Sequence, residues 1–226
     1  MRRITLAVLS SMAAIVALGA ASVSARAATV IYNNFGSGQV YNNDLGYQIK
    51  ACFKCATEYA ASFTPSSNYT LSQIDIALFW IGHANNEAKV ELVDSSGGHP
   101  GTTVLESWNL SGMAYFGSGS PPDSLLSTGG VTLSSGTQYW VVANPASSGW
   151  DLWNDNNQGH FGGLAEGFEG INGGYSWFSG SGYTPAFDVL GTSPPPPPST
   201  PEPSSLVLLG SGILGLAGVI KRKLFA

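Results

Sequence analysis

An all-β body, folded as a β-sandwich, is what this sequence predicts, and three observations predict it. Apolar and polar residues alternate with a period of two in several short runs. Turn-forming residues interrupt the chain about every ten residues, and no stretch of the body holds a helical period. Thr29-Val30-Ile31-Tyr32 opens as a short strand, and residues 59–64 form another that stops at Pro65. Within residues 69–82, Ile74, Ile76, Leu78 and Trp80 alternate with Asp75, Ala77 and Phe79, the pattern of one half-buried strand. Residues 89–94 alternate equally cleanly and run on to Gly97-Gly98; residues 102–110 follow. Residues 131–133 lead into a turn at Ser134-Ser135-Gly136. Residues 138–143 are almost continuously apolar, as a central strand buried on both faces must be. Residues 150–153, 175–178 and 186–190 complete the set.

Charge is scarce. Only 10% of the 226 residues are charged while 43% are hydrophobic, against about 25% charged in an average chain. Such a composition favours a packed body over disorder. Between Ala28 and Thr200 the three lysines Lys50, Lys54 and Lys89 face thirteen acids, a net charge of −10. Phosphate recognition needs clustered Lys and Arg, so a nucleic-acid partner is excluded.

The two ends read as addresses. Residues 1–27 have the form of a secretory signal peptide: Arg2 and Arg3, an apolar stretch over 4–21, then Ala25-Arg26-Ala27, whose small residues Ala25 and Ala27 fit a signal peptidase that cuts after Ala27. Residues 28–192 are the body, and 193–199 are a linker whose five prolines, 194–198, favour an extended polyproline II spacer. Residues 200–226 begin Thr200-Pro201-Glu202-Pro203 and continue into an apolar stretch with Gly210, Gly212, Gly215 and Gly218. They close on Lys221-Arg222-Lys223. A helix over 204–220 would have 17 residues, at the short end of the roughly 17–25 that span a bilayer. The basic cluster would hold its end in the cytoplasm and leave the body outside.

Pro201, Glu202 and Pro203, followed by a Gly-rich apolar helix and a basic terminus, resemble the PEP-CTERM sorting signal, a segment also called the ice-binding protein C-terminal domain. The resemblance implies handling by an exosortase in the inner membrane of a Gram-negative bacterium, together with exopolysaccharide production, and a destination at the cell surface or in the extracellular matrix. The body resembles the choice-of-anchor ectodomains, type R in particular. Phe63-Thr64-Pro65 precedes Tyr69-Thr70-Leu71-Ser72-Gln73-Ile74. A Gly98-His99-Pro100-Gly101 turn leads into 102–105. Leu133 followed by Gly136-Thr137-Gln138-Tyr139-Trp140-Val141-Val142 matches that family's core hairpin. This implies a jelly-roll-like sandwich and no particular ligand.

Chemistry-bearing residues are few. Cys52-Phe53-Lys54-Cys55 in an exported chain reads first as a short disulfide loop. Free or intermolecular thiols, and a metal or redox site, are the alternatives; a redox motif lacks its βαβ context and a zinc site lacks two further ligands. The stretch 151–159 is rich in oxygen ligands. Asp151 and Asp155 are candidates for calcium, against an Asx-rich turn that caps its own backbone. Trp150, Trp153 and Trp177 lie beside Gly, Ser and Asn in expected loops and are candidates for stacking on a sugar, while Trp140 is expected in the core. No nucleophile motif or singled-out carboxylate pair emerges, so an enzyme is not expected. The function expected is that of an exported structural or adhesive protein of the surface or matrix, with exosortase, signal peptidase, the membrane and exopolysaccharide as partners. The alternative is a module binding a neutral glycan, since the body's charge repels polyanions.

Overall fold

The computed structural model describes residues 27–83, 85–146, 149–169, 175–194, 208 and 210–213. Ala25, Pro201, Glu202 and Pro203 lie outside the described residues. The chain divides into two compact units, Met1–Ser193 and Pro194–Ala226. In the second, Leu208 and residues 210–213 are helical, and the Leu208 and Ile213 side chains are exposed. The remainder of the expected 204–220 span lies outside the described residues. No helix among the described residues is long and apolar enough to cross a membrane.

The described residues of the first unit form β-strands and their connections. Its strands are β1 (Thr29–Asn33), β2 (Gly46–Lys50), β3 (Thr57–Phe63), β4 (Tyr69–Ile76), β5 (Leu78–His83), β6 (Glu87–Ser96) and β7 (His99–Ser111). They continue with β8 (Asp123–Leu126), β9 (Thr132–Leu133), β10 (Tyr139–Pro145), β11 (Trp150–Asn154), β12 (Leu164–Glu169), β13 (Tyr175–Ser179) and β14 (Phe187–Thr192). A smaller sheet runs β1-β14-β4-β8, with β9 also on β4. A larger one runs β5-β11-β2-β3-β10-β6-β7, and β12 joins β3 and carries β13. The inner faces of both sheets share one core. The smaller sheet supplies Leu71, Ile74, Ile76, Phe187 and Val189; the larger supplies Ile49, Phe63, Leu78, Val90, Leu92 and Val141.

Strand β10 shows why its sequence is apolar throughout. Tyr139, Val141 and Ala143 face the main core, whereas Trp140 and Val142 face the other way. There they meet Ala60, Val93 and Ala165 in a second cluster, against which Trp177 of β13 packs. The hairpin β12–β13 therefore shields the outer face of the larger sheet.

The run expected as one strand over 69–82 is two. At Ala77 the chain leaves the smaller sheet and enters the larger. The Ala77 N–H donates to the Ala186 carbonyl at 3.1 Å, and its carbonyl accepts from the Asn154 N–H at 2.9 Å. The Ala186 N–H donates to the Asn154 carbonyl at 2.8 Å, and the Trp153 indole N–H to the Ala186 carbonyl at 2.9 Å. Asn34, fully buried, closes this corner. Its side-chain amide donates to the Pro185 carbonyl and its side-chain oxygen accepts from the Phe187 N–H, both at 2.8 Å. An unbroken period-two pattern cannot reveal such a switch, because the same face of the strand stays apolar on both sides of it.

Strands β2, β8 and β12 were not anticipated. Each is short or carries polar residues: β8 buries only Leu125, and β12 contains Glu166, Gly167 and Glu169. Gly167 is required there, because a Cβ would sit 3.0–3.2 Å from three ring carbons of Trp177. The expected core hairpin around Gly136 is also corrected. β9 pairs with β4 in the smaller sheet, while β10 lies in the larger, so the turn carries the chain between sheets.

Two stability outcomes follow from this packing. Asn34→Ala strands the buried Phe187 N–H and Pro185 carbonyl and is expected to cost about 3 kcal/mol, read as a lower urea midpoint. Trp140→Ala empties the second cluster and is expected to cost ~3–5 kcal/mol in the same measurement.

Candidate functional site

The tryptophans expected to form a sugar platform do not do so. All three lie in strands. Trp150 and Trp153 are three residues apart on β11 and so point to opposite faces. Trp153 is fully buried, edge-on to Phe187 with ring centroids 5.9 Å apart. Trp150 is half-buried, and Trp177 is packed on the second cluster. Trp153 is therefore a core residue, not a ligand contact.

The expected oxygen-rich loop 151–159 is strand as far as Asn154. Asp151 and Asp155 are both buried. They stand four residues apart on extended chain, roughly 13 Å, too far to share one ion. Among the described residues no three His, Cys, Asp or Glu side chains gather into a metal-ligating group. Asn156 makes the backbone-capping turn instead. Its side-chain oxygen accepts from the N–H groups of Gln158 and His160, at 3.0 and 2.9 Å, and its amide donates to the carbonyls of His160 and Thr184. Cys52 and Cys55 are joined by a disulfide in an exposed turn.

Exposed aromatic side chains occur elsewhere. The Phe161 ring, 66% exposed, lies against that of Tyr183 with centroids 4.1 Å apart. The backbone carbonyl of Tyr183 accepts from the Tyr47 hydroxyl at 2.9 Å. Tyr47 packs on Tyr59 at 4.7 Å, and the Tyr59 hydroxyl donates to the Glu166 carboxylate. Glu166 stands opposite Phe178 in the β12–β13 register, and Phe178, 57% exposed, meets Phe168 edge-on at 6.1 Å. Phe161, Tyr183, Tyr47, Tyr59, Glu166, Phe178 and Phe168 thus form one continuous strip. Gly182 permits its narrowest approach, because a Cβ there would overlap the Tyr47 hydroxyl. Burial, followed by the charges of Asp155 and Glu166, pushes the Tyr47 hydroxyl up to about 12. Burial also raises Asp155, to about 6, and one of its oxygens, Oδ1, has no hydrogen-bond partner.

The sequence left this strip unread because its residues come from five separate segments and two of its strands, β2 and β12, were not anticipated. A shallow pocket of about 360 Å³ also opens, between residues 38–43 and 119–122. Its one aromatic ring, Tyr41, is buried with its hydroxyl bonded to the Ser120 carbonyl, so it displays neither an exposed ring face nor a charge.

A carboxylate pair sits on the outer face of the smaller sheet. Asp75 and Asp188 are direct cross-strand neighbours, both buried. Asp75 accepts from the side-chain amides of Gln39 and Gln73, at 2.9 and 2.7 Å, and its N–H donates to Asp188 at 3.3 Å. Burial first, then the Asp75 charge, raises Asp188 to about 6. Among the described residues the one ion pair is Lys89–Glu91, so no lysine neutralises this site.

Residues 199–223 match the family model described as the PEP-CTERM protein-sorting motif. The chain therefore carries the sorting motif expected from Pro201-Glu202-Pro203 and the apolar, basic-ended tail. That motif marks an exosortase-processed protein exported to the cell envelope or surface. A search of curated proteins finds no match to the chain.

Desolvation raises Asp123, Asp151, Asp155 and Asp188, with Asp151 reaching about 7. The folded state thus holds these protons more tightly than the unfolded chain does. For Asp151, Asp155 and Asp188 the resulting stability is fully present below about pH 4 and is lost as pH rises through their folded values near 6–7. The thermal midpoint is expected to be several degrees higher at about pH 5 than at about pH 8. Asp188→Asn is expected to stabilise the protein at the higher pH and flatten the profile, which calorimetry at both pH values checks.

Proposed function

We propose that the protein is a non-catalytic structural or adhesive component of the cell surface or extracellular matrix, delivered there by an exosortase in association with exopolysaccharide. The observation that carries this reading is the sorting motif at residues 199–223 behind an all-β body. A signal peptidase removes residues 1–27. The 204–220 segment holds the chain in the inner membrane of a Gram-negative cell with the body outside, and cleavage near Pro201-Glu202-Pro203 releases it. The body's resemblance to choice-of-anchor ectodomains supports the same role, because such bodies are displayed on interchangeable anchors.

Glycan recognition is a second reading. It is favoured by the exposed rings of Phe161, Tyr183, Phe168 and Phe178, which take the place of the tryptophans. Rings of this kind stack on the apolar faces of sugars, and adjoining carboxylates and carbonyls accept from hydroxyls.

Intact-mass analysis of the protein recovered from the surface fraction is expected to show a species lacking residues 206–226. Recovery of the full tail from that fraction would replace cleavage with permanent anchoring.

A further inference from the structure

We infer that the aromatic strip running from Phe161 and Tyr183 to Phe168 and Phe178 is a binding site for a glycan rich in free amino sugars. This deepens the glycan reading by naming its ligand class. The strip joins two exposed ring pairs at opposite ends of β12. Tyr183 lies at the Leu164 end, where Gly182 comes close to the Leu164 side chain, and Phe168 lies four residues further along. At strand spacing that separation is roughly 13 Å, a length that suits a chain of sugars better than a single ring. Aromatic faces supply apolar area to the C–H faces of the sugars.

Charge decides the class. Glu166 lies midway along the strip, between Tyr59 and Phe178, and Asp155 stands close enough to Tyr47 to raise its hydroxyl pKa. Among the described residues no lysine or arginine is paired with Glu166 or Asp155. Lys89 is paired with Glu91 and Lys54 lies over the Phe53 ring, while Lys50 of β2, which stands opposite Thr57 of β3, makes no ion pair with either acid. The acids of the strip are thus left without a cationic partner, and the Tyr47 and Tyr59 hydroxyls direct their protons to the Tyr183 carbonyl and to Glu166. A neutral glycan would leave the Glu166 charge unanswered, and a uronic-acid chain would be repelled. An ammonium-bearing sugar meets both features, since it pairs with the carboxylate and is attracted to the faces of Tyr and Phe rings. The net charge of −10 between Ala28 and Thr200 adds long-range attraction for such a polycation.

The test measures binding of the full chain, at mildly acidic pH, to three immobilised probes: a glucosamine hexamer, its fully N-acetylated counterpart and a hexuronic-acid oligomer. The glucosamine hexamer is expected to bind at least about tenfold more tightly than the acetylated one and to weaken as salt rises; the uronate is expected not to bind. Phe161→Ala and Phe178→Ala are each expected to lower affinity by roughly tenfold. Both side chains are largely exposed, so each variant serves as the check if the other fails to fold. Glu166→Gln keeps an acceptor for the Tyr59 hydroxyl and is expected to remove both the amino-sugar preference and the salt dependence. Equal binding of the two glucosamine probes would overturn the amino-sugar inference and leave glycan recognition standing. Binding of none of the probes would overturn both. Self-association abolished by Phe161→Ala in light scattering would overturn the inference by making the strip a contact between copies. None of these outcomes bears on surface sorting, which the mass measurement tests separately.

Discussion

The architecture depends on one hydrogen-bonded corner. At Ala77 the chain passes from one sheet to the other, and a polar backbone group buried there must find a partner or cost free energy. Ala77, Asn154 and Ala186 satisfy one another through three backbone bonds of 2.8–3.1 Å. Asn34 joins the set with a side chain bonded at both its nitrogen and its oxygen. These four residues belong to segments far apart in sequence, so the corner ties the start, middle and end of the body together. It also sets the relation between β4 and β5, on which the shared core of Ile74, Ile76 and Leu78 rests.

The surface features follow from that corner and from the shortage of lysine. Thr184 and Pro185 leave the corner directly towards Tyr183, which brings the Phe161–Tyr183 pair over Tyr47. On the other side, Phe187 leads to Asp188, whose cross-strand neighbour is Asp75. A carboxylate pair without a cation is an unusual use of a buried sheet position. Here side-chain amides from Gln39 and Gln73 satisfy Asp75, and Asp188 holds its proton to a higher pH than an exposed acid does.

Much of the body was legible because burial imposes a period. Ile74, Ile76, Leu78, Val90 and Leu92 alternate in sequence and are buried in the structure, and residues 138–143 form a strand covered on both faces. The tail was legible for a different reason: its tripeptide, apolar stretch and basic end form a local pattern that needs no tertiary context. What depended on tertiary contact was not legible. The sheet switch at Ala77 leaves the alternation intact. Strand β12 is hidden because Gly167, which lowers its strand propensity, is there to admit the Trp177 ring. Local composition placed Trp153 in a loop, whereas its indole N–H is buried against the Ala186 carbonyl. The aromatic strip combines Tyr47, Tyr59, Phe161, Glu166, Phe178 and Tyr183, and no local pattern links them.

Native-state hydrogen exchange on the full chain tests the dependence on the corner most directly. If the corner is the constraint that the fold rests on, the amides of Ala77, Asn154, Ala186 and Phe187 open only with global unfolding. They should then form the slowest-exchanging class, together with those of β10 and ahead of the edge strands β7 and β13. Exchange of these four amides in the early class, while the two sheets remain protected, would contradict the account.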